Sequence, residues 1–172
     1  ADYGQWIVLA EHEARLVKYN PTTHELKDVN APNVHYKVIR AVAFDGQFLY
    51  VGTQDGLFII DENKQREEQI KEDFMIPFGL SDNMIYSLYC DCYKGVWIGT
   101  MHSGANYLSR GSMHFTTFFP SKMSGSLTSK LVHEMTGTKS GDVWINTEEG
   151  YINIYHPKTQ TFDKVNVPIY KG

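Results

Sequence analysis

The sequence predicts an all-β chain of repeated four-stranded antiparallel sheets, a partial β-propeller of about four blades with the first blade incomplete. Three observations carry that expectation. First, Gly95-Val96-Trp97-Ile98-Gly99-Thr100 recurs as Tyr50-Val51-Gly52-Thr53 and as Val143-Trp144-Ile145-Asn146-Thr147, with Val8-Leu9-Ala10-Glu11 as a faded copy. Tyr50, Trp97 and Trp144 fall at one constant spacing, and a period of some tens of residues marks solenoids, propellers and arrays. Second, each copy enters a hairpin with turn glycines, as in Gly46 to Asp61 and Gly141 to Tyr155. Third, 11 Tyr, 9 Phe and 3 Trp, with 14 Gly, favour strands over helices.

Taken in order, each unit needs a strand before its hairpin and one after it. Val38 to Phe44, Met84 to Cys90 and Lys130 to Met135 fill the first place. The turns Asn20-Pro21-Thr22-Thr23-His24 and His156-Pro157-Lys158-Thr159-Gln160 lead into fourth strands at Glu25 to Val29 and Thr161 to Val165, and Phe115 to Phe119 is the third unit's. The charged run Asp61 to Glu72 reads as a solvated loop or edge. The blades then span roughly 1–31, 34–77, 81–120 and 127–165 of a single propeller segment, with strands A (inner) to D (outer) in each. The first blade lacks its strand A, and a fifth is absent unless Asn166 to Tyr170 begins it. End blades of an open array expose apolar faces. The chain is therefore expected to be a piece of a larger propeller, covered by the remainder of its parent or by a second copy.

The bulk numbers exclude several classes. A net charge of −4 gives no electrostatic case for nucleic acid or an anionic membrane. No apolar run approaches the ~20 residues that span a bilayer, and no signal-peptide pattern is present. Cys90 and Cys92, two apart on a strand, share a face; they read as buried thiols.

Leu80-Ser81-Asp82-Asn83-Met84-Ile85-Tyr86-Ser87-Leu88-Tyr89-Cys90-Asp91, followed by Gly95 to Thr100, closely resembles the two-component-regulator propeller repeat. Blade two matches from Asp45 to Leu57. Blade four has Asn146 where the repeat has Gly, and blade one departs most. Such repeats are typical of the periplasmic sensor regions of hybrid histidine kinases in gut Bacteroidetes. The resemblance implies tandem propellers, an immunoglobulin-like domain, a transmembrane helix and a cytoplasmic kinase in the parent, working as a dimer. It also implies signal transduction by carbohydrate sensing, in response to oligosaccharides. A protein-interaction scaffold and a propeller carbohydrate-active enzyme are the rival readings.

No catalytic residue, metal site or cofactor is expected. The seven histidines show no His-x-x-x-His spacing, and no Cys-x-x-Cys or Gly-x-Ser-x-Gly occurs. Glu148 and Glu149 read as a solvated turn. Ligand recognition is expected on the face formed by the B–C turns and D–A connections, whose side chains suit sugar hydroxyls. The candidate ligand-binding residues are His12, Gln54, Asp55, Asp82, Asn83, His102 and Glu148, with His102 preferred. Tyr50, Trp97 and Trp144 are expected in inter-blade core.

Overall fold

The computed structural model describes residues 2–3, 6–10, 15–35, 37–73, 75–76, 78–109, 111–112, 114–122 and 125–167. These form four four-stranded antiparallel sheets. The first holds β1 (Asp2–Tyr3), β2 (Trp6–Ala10), β3 (Leu16–Tyr19) and β4 (Leu26–Asp28), and the second β5 (Ile39–Phe44), β6 (Leu49–Thr53), β7 (Gly56–Asp61) and β8 (Arg66–Ile70). The third holds β9 (Ile85–Cys90), β10 (Val96–Thr100), β11 (Ala105–Leu108) and β12 (Phe115–Phe118), and the fourth β13 (Val132–Gly137), β14 (Val143–Thr147), β15 (Tyr151–His156) and β16 (Thr161–Asn166). Each sheet is a meander in chain order. Contacts run from β1 to β5, β5 to β9 and β9 to β13, so the first strand of every sheet lies innermost. That is the blade arrangement of a propeller.

Two expectations at the blade edges are refined. The strand A that the sequence left out of blade one exists as the two-residue β1, paired Asp2↔Ile7 and Tyr3↔Trp6. The charged run is largely a strand: Arg66 to Ile70 pairs with β7 as the outer edge of its blade. Charged side chains on an exposed edge discourage pairing with another chain. Asn166 ends β16, and residues 168–170, once candidates for a further strand, lie outside the described residues.

The repeat motif is a strand whose two faces meet two different neighbours. In β6, Leu49 and Val51 join Val8, Leu16 and Phe58 against blade one, while Tyr50 turns to Ile85, Val96 and Ile98 of blade three. In β10, Val96 and Ile98 face blade two, and Trp97 faces Val132, Val143, Ile145 and Tyr155 of blade four. Trp97 stacks on Phe118 at 5.3 Å and meets Tyr155 at 5.1 Å. A strand's side chains alternate, so full burial of β6 and β10 needs a neighbour on each side.

That requirement corrects one expectation. Trp144, placed in core by analogy with Tyr50 and Trp97, is 40% exposed, against 6% and 2% for the other two. Val143 and Ile145 are buried against blade three, but no described sheet covers the other face of β14. The glycine position changes with it. A Cβ at Gly52 would lie 2.5 Å from Ile85 Cγ2, and one at Gly99 2.5 Å from Val132 Cγ1. Glycine is required there because the next inner strand seats directly on the backbone. In blade four the position is Asn146, exposed on the open face.

A bulge recurs in three inner strands. Pairing skips a residue between Ile39 and Ala41, between Ile85 and Ser87, and between Val132 and Glu134. The residues left out of the ladder are Arg40, Tyr86 and His133.

The two tryptophans separate these roles by experiment. Trp97→Ala is expected to lower unfolding free energy by about 3–5 kcal/mol in urea titration, the range for removing a buried large aromatic. Trp144→Ala is expected to cost about 1 kcal/mol or less. Equal losses at both positions would contradict the open fourth face.

Candidate functional site

The B–C turns close one face of the molecule through repeated contacts. Thr53 and Thr100, ending their strands, donate their hydroxyls to the carbonyls of Gly56 and Gly104 at 2.9 and 2.8 Å. The same oxygens accept from the amides of Asp55 and Ser103. The first turn residue donates its amide to the segment entering the inner strand: Gln54 to Val38, Met101 to Met84 and Glu148 to Leu131. The amides of Gly56 and Gly104 reach forward to the carbonyls of Asn83 and Lys130, at the entrance to the next blade. The turns of blades two, three and four are thus tied to their own inner strands, and those of blades two and three also to the following blade.

Of the seven candidate residues, the structure commits three to holding this face together. Asp55 receives Lys37 at 2.6 Å and Lys71 at 2.7 Å, and these two partners hold its carboxyl down at about 2. Asp82 is buried; it accepts from the amides of Met84 at 3.0 Å and His102 at 2.8 Å. The Asn83 side chain accepts from the Glu72 amide at 2.7 Å. Gln54 and Glu148 are exposed, and the His102 side chain is 63% exposed beside Asp82. His12 lies outside the described residues. Glu149 is exposed beside Glu148, as a turn residue.

Two buried asparagines escaped the sequence reading. Asn106 joins strand C to the D–A connection, accepting from the Ser81 amide at 3.3 Å and donating to Ser81 Oγ at 2.8 Å. Asn153 does the same with Thr128 at 3.1 and 3.0 Å. Both pair across from the central isoleucine of the motif, Ile98 or Ile145, whereas blade two places Phe58 opposite Val51. The signal was available: Asn106 and Asn153 follow Trp97 and Trp144 by the same interval.

The opposite face, of A–B and C–D turns, is built on a second repeated contact. Asp45 Oδ1 accepts from the amides of Gln47 and Phe48, and its Oδ2 accepts from the Tyr50 hydroxyl at 3.2 Å. Asp91 Oδ1 accepts from the amides of Tyr93 and Gly95, and its Oδ2 from Trp97 Nε1 at 3.3 Å. Between blades two and three this face opens into a groove of about 230 Å³, floored by Phe48, Tyr50, Ile59, Ile70 and Leu108. Its charges pair internally: Lys64 with Asp61, Arg66 with Glu68, and Lys94 with the Asp45 carbonyl. Cys90 is half-buried, and burial pushes its thiol up to about 12. Cys92 is exposed, which corrects the expectation of two buried thiols; the A–B turn has already left the sheet there.

Among the described residues no three His, Cys, Asp or Glu side chains converge as a metal site. No family model matches the chain, and no curated protein matches its sequence significantly. Solved structures do share the fold. One is an extracellular domain assigned to the hybrid two component system BT3049 of B. thetaiotaomicron, 17% identical with a TM-score of 0.70. It is matched by 99% of this chain, which spans 25% of that one. A second is the computationally designed Ika8 protein, 13% identical with a TM-score of 0.63, where 94% of this chain matches 46% of the other.

Blade four carries a pH-sensitive tie. His156 Nδ1 lies 2.9 Å from Asp142 Oδ1, and its Nε2 3.2 Å from Asp163 Oδ2. These bonds, that with Asp142 foremost, raise the imidazole above its ordinary 6.5, and His156 in turn lowers Asp142 below 3.8. The folded chain therefore holds the His156 proton more tightly than the unfolded chain. The resulting stabilisation is fully present below the ordinary histidine value and lost as pH rises through the raised one. Asp142's share is present above its ordinary value and lost as pH falls through its lowered one. Proton NMR of the His156 ring is expected to give a midpoint above 6.5, and Asp142→Asn is expected to move it down. An unchanged midpoint in the variant would remove Asp142 as the cause.

Proposed function

We propose that this chain is a non-enzymatic recognition segment of a periplasmic two-component sensor, and that it binds an oligosaccharide on the face of B–C turns and D–A connections. The observation that carries the reading is the repeat itself. Its Ser81-Asp82-Asn83 and Trp97-Ile98-Gly99-Thr100 strings resemble the two-component-regulator propeller repeat. Support comes from a fold shared with an extracellular domain assigned to a hybrid two component system. Asp55, Asp82 and Asn83 hold the turns rigid, which leaves Gln54, His102 and Glu148 exposed on a preorganised rim. Preorganisation lowers the entropy cost of binding a flexible sugar. The parent protein would carry the histidine kinase in its cytoplasmic part.

In the same reading, the open face of blade four packs against the rest of the parent propeller. Glu134, Met135, Thr136, Trp144 and Ile152 line a shallow depression there. Neighbouring blades bury the equivalent surface completely.

Titration calorimetry of the complete ectodomain against a broad panel of neutral and acidic oligosaccharides tests the first part. Binding of at least one, weakened by His102→Ala, is expected; silence across the panel sinks the sensor reading. Iodide quenching tests the second part. The Trp144 contribution, isolated by comparison with Trp144→Phe, is expected to be quenchable in this chain and shielded in a chain extended past residue 172. Equal quenching in both would reject the packed face.

A further inference from the structure

The bulges in β5, β9 and β13 occupy one register position. Ile39, Ile85 and Val132 each pair with the threonine that ends strand B, and the next residue drops out of the ladder. A bulged residue is released from the alternation of its strand, and such bulges re-aim side chains. The three released residues are Arg40, Tyr86 and His133, at the end of the inner strands nearest the B–C turns. Arg40 and His133 are exposed and Tyr86 is half-buried. Because β5 contacts β9 and β9 contacts β13, the three bulges fall at the same rung of adjacent inner strands.

Their chemistry differs from the rest of that face. Arg40 Cζ sits 4.7 Å from the centre of the Tyr86 ring. A guanidinium stacked on an aromatic is held in orientation while its N–H fork stays free for a planar anion. Among the described residues, no carboxylate pairs with Arg40, and the Tyr86 hydroxyl and His133 ring make no hydrogen bond. Three acids near that face are directed elsewhere. Asp55 is matched by Lys37 and Lys71, Asp82 by backbone amides, and Glu134 lines the open face of blade four. Glu148 and Glu149 lie on the blade-four turn.

We propose that Arg40, Tyr86 and His133 form an axial subsite for the anionic group of an acidic saccharide, a uronate carboxylate or a sulfate ester. Arg40 takes the anion bidentately, while Tyr86 and His133 supply further hydrogen bonds to it or to a flanking hydroxyl. This deepens the oligosaccharide reading above and rests on it. The bulges stand at one register position in three successive blades, so the site needs the assembled fold rather than any one repeat.

The test is calorimetry on the whole chain with three trisaccharide probes: trigalacturonate, a sulfated neutral trisaccharide and its unsulfated parent. Free sulfate serves as a fourth ligand. One acidic probe is expected to bind at least tenfold more tightly than the neutral parent, and which one it is separates carboxylate from sulfate. Arg40→Met is expected to weaken that binding roughly ten- to hundredfold, the loss of a charge-assisted pair. Arg40→Lys is expected to restore only part of it, since a lysine lacks the fork. His133→Ala provides a second variant, and thermal melts check that each variant folds. Neutral and acidic probes binding alike, or Arg40→Met binding as the parent does, overturns the anionic subsite while leaving the sensor reading intact. Free sulfate binding as tightly as the sulfated probe overturns the saccharide assignment. Binding of none of the probes overturns the subsite, and the broader ectodomain panel then decides the sensor reading separately.

Discussion

The structure depends on how closely one blade seats on the next. Ile85 lies where a Cβ of Gly52 would be, and Val132 where a Cβ of Gly99 would be. With that contact made, the aromatic on the same strand closes the outer part of the seam. Tyr50 packs on Ile85 and Val96, and Trp97 on Val132, Val143 and Tyr155. Dense packing of this kind tolerates little volume change. A methyl group at either glycine would push a whole blade outward, and the bonds from turn to following blade would lengthen with it.

The polar groups divide by face along the same repeat. On one side, Asp45 and Asp91 tie the A–B turn to the strand-B aromatic. On the other, Thr53 and Thr100 close the B–C turn, and Asn106 and Asn153 hold the D–A connection to strand C. All of these groups but the half-buried Asp91 are buried, and each has its hydrogen-bond partners. The recurrent residues therefore maintain geometry. Variation falls at the turn residues and at the bulges, where side chains leave the seams.

This division explains why part of the candidate site was legible and part was not. The turn face could be placed from strand order alone, because all B–C turns of a meander blade end on one side. Whether a turn residue was free could not. Asp55 and Asp82 look like His102 in a sequence, but Lys37 and Lys71 come from outside the turn to occupy Asp55, and backbone amides occupy Asp82. Those partners are fixed by the meeting of segments remote in the chain. The bulges were hidden for another reason. Arg40, Tyr86 and His133 share no residue type, so a search for repeated letters passes over them. Only the pairing register shows that they hold one position.

The sequence by itself determined the blades. A constant period, turn glycines and alternating apolar residues are local properties, and each specifies a strand or a turn without reference to distant contacts. It determined too that strand B of a middle blade needs apolar residues on both faces. Tertiary structure alone decided what each face meets. Trp144 repeats Trp97 in the motif but stays 40% exposed, because burial belongs to the neighbour rather than to the residue. For the same reason Arg40 stands with its guanidinium over Tyr86: two inner strands, each bulged at the same rung, bring them together at the axis.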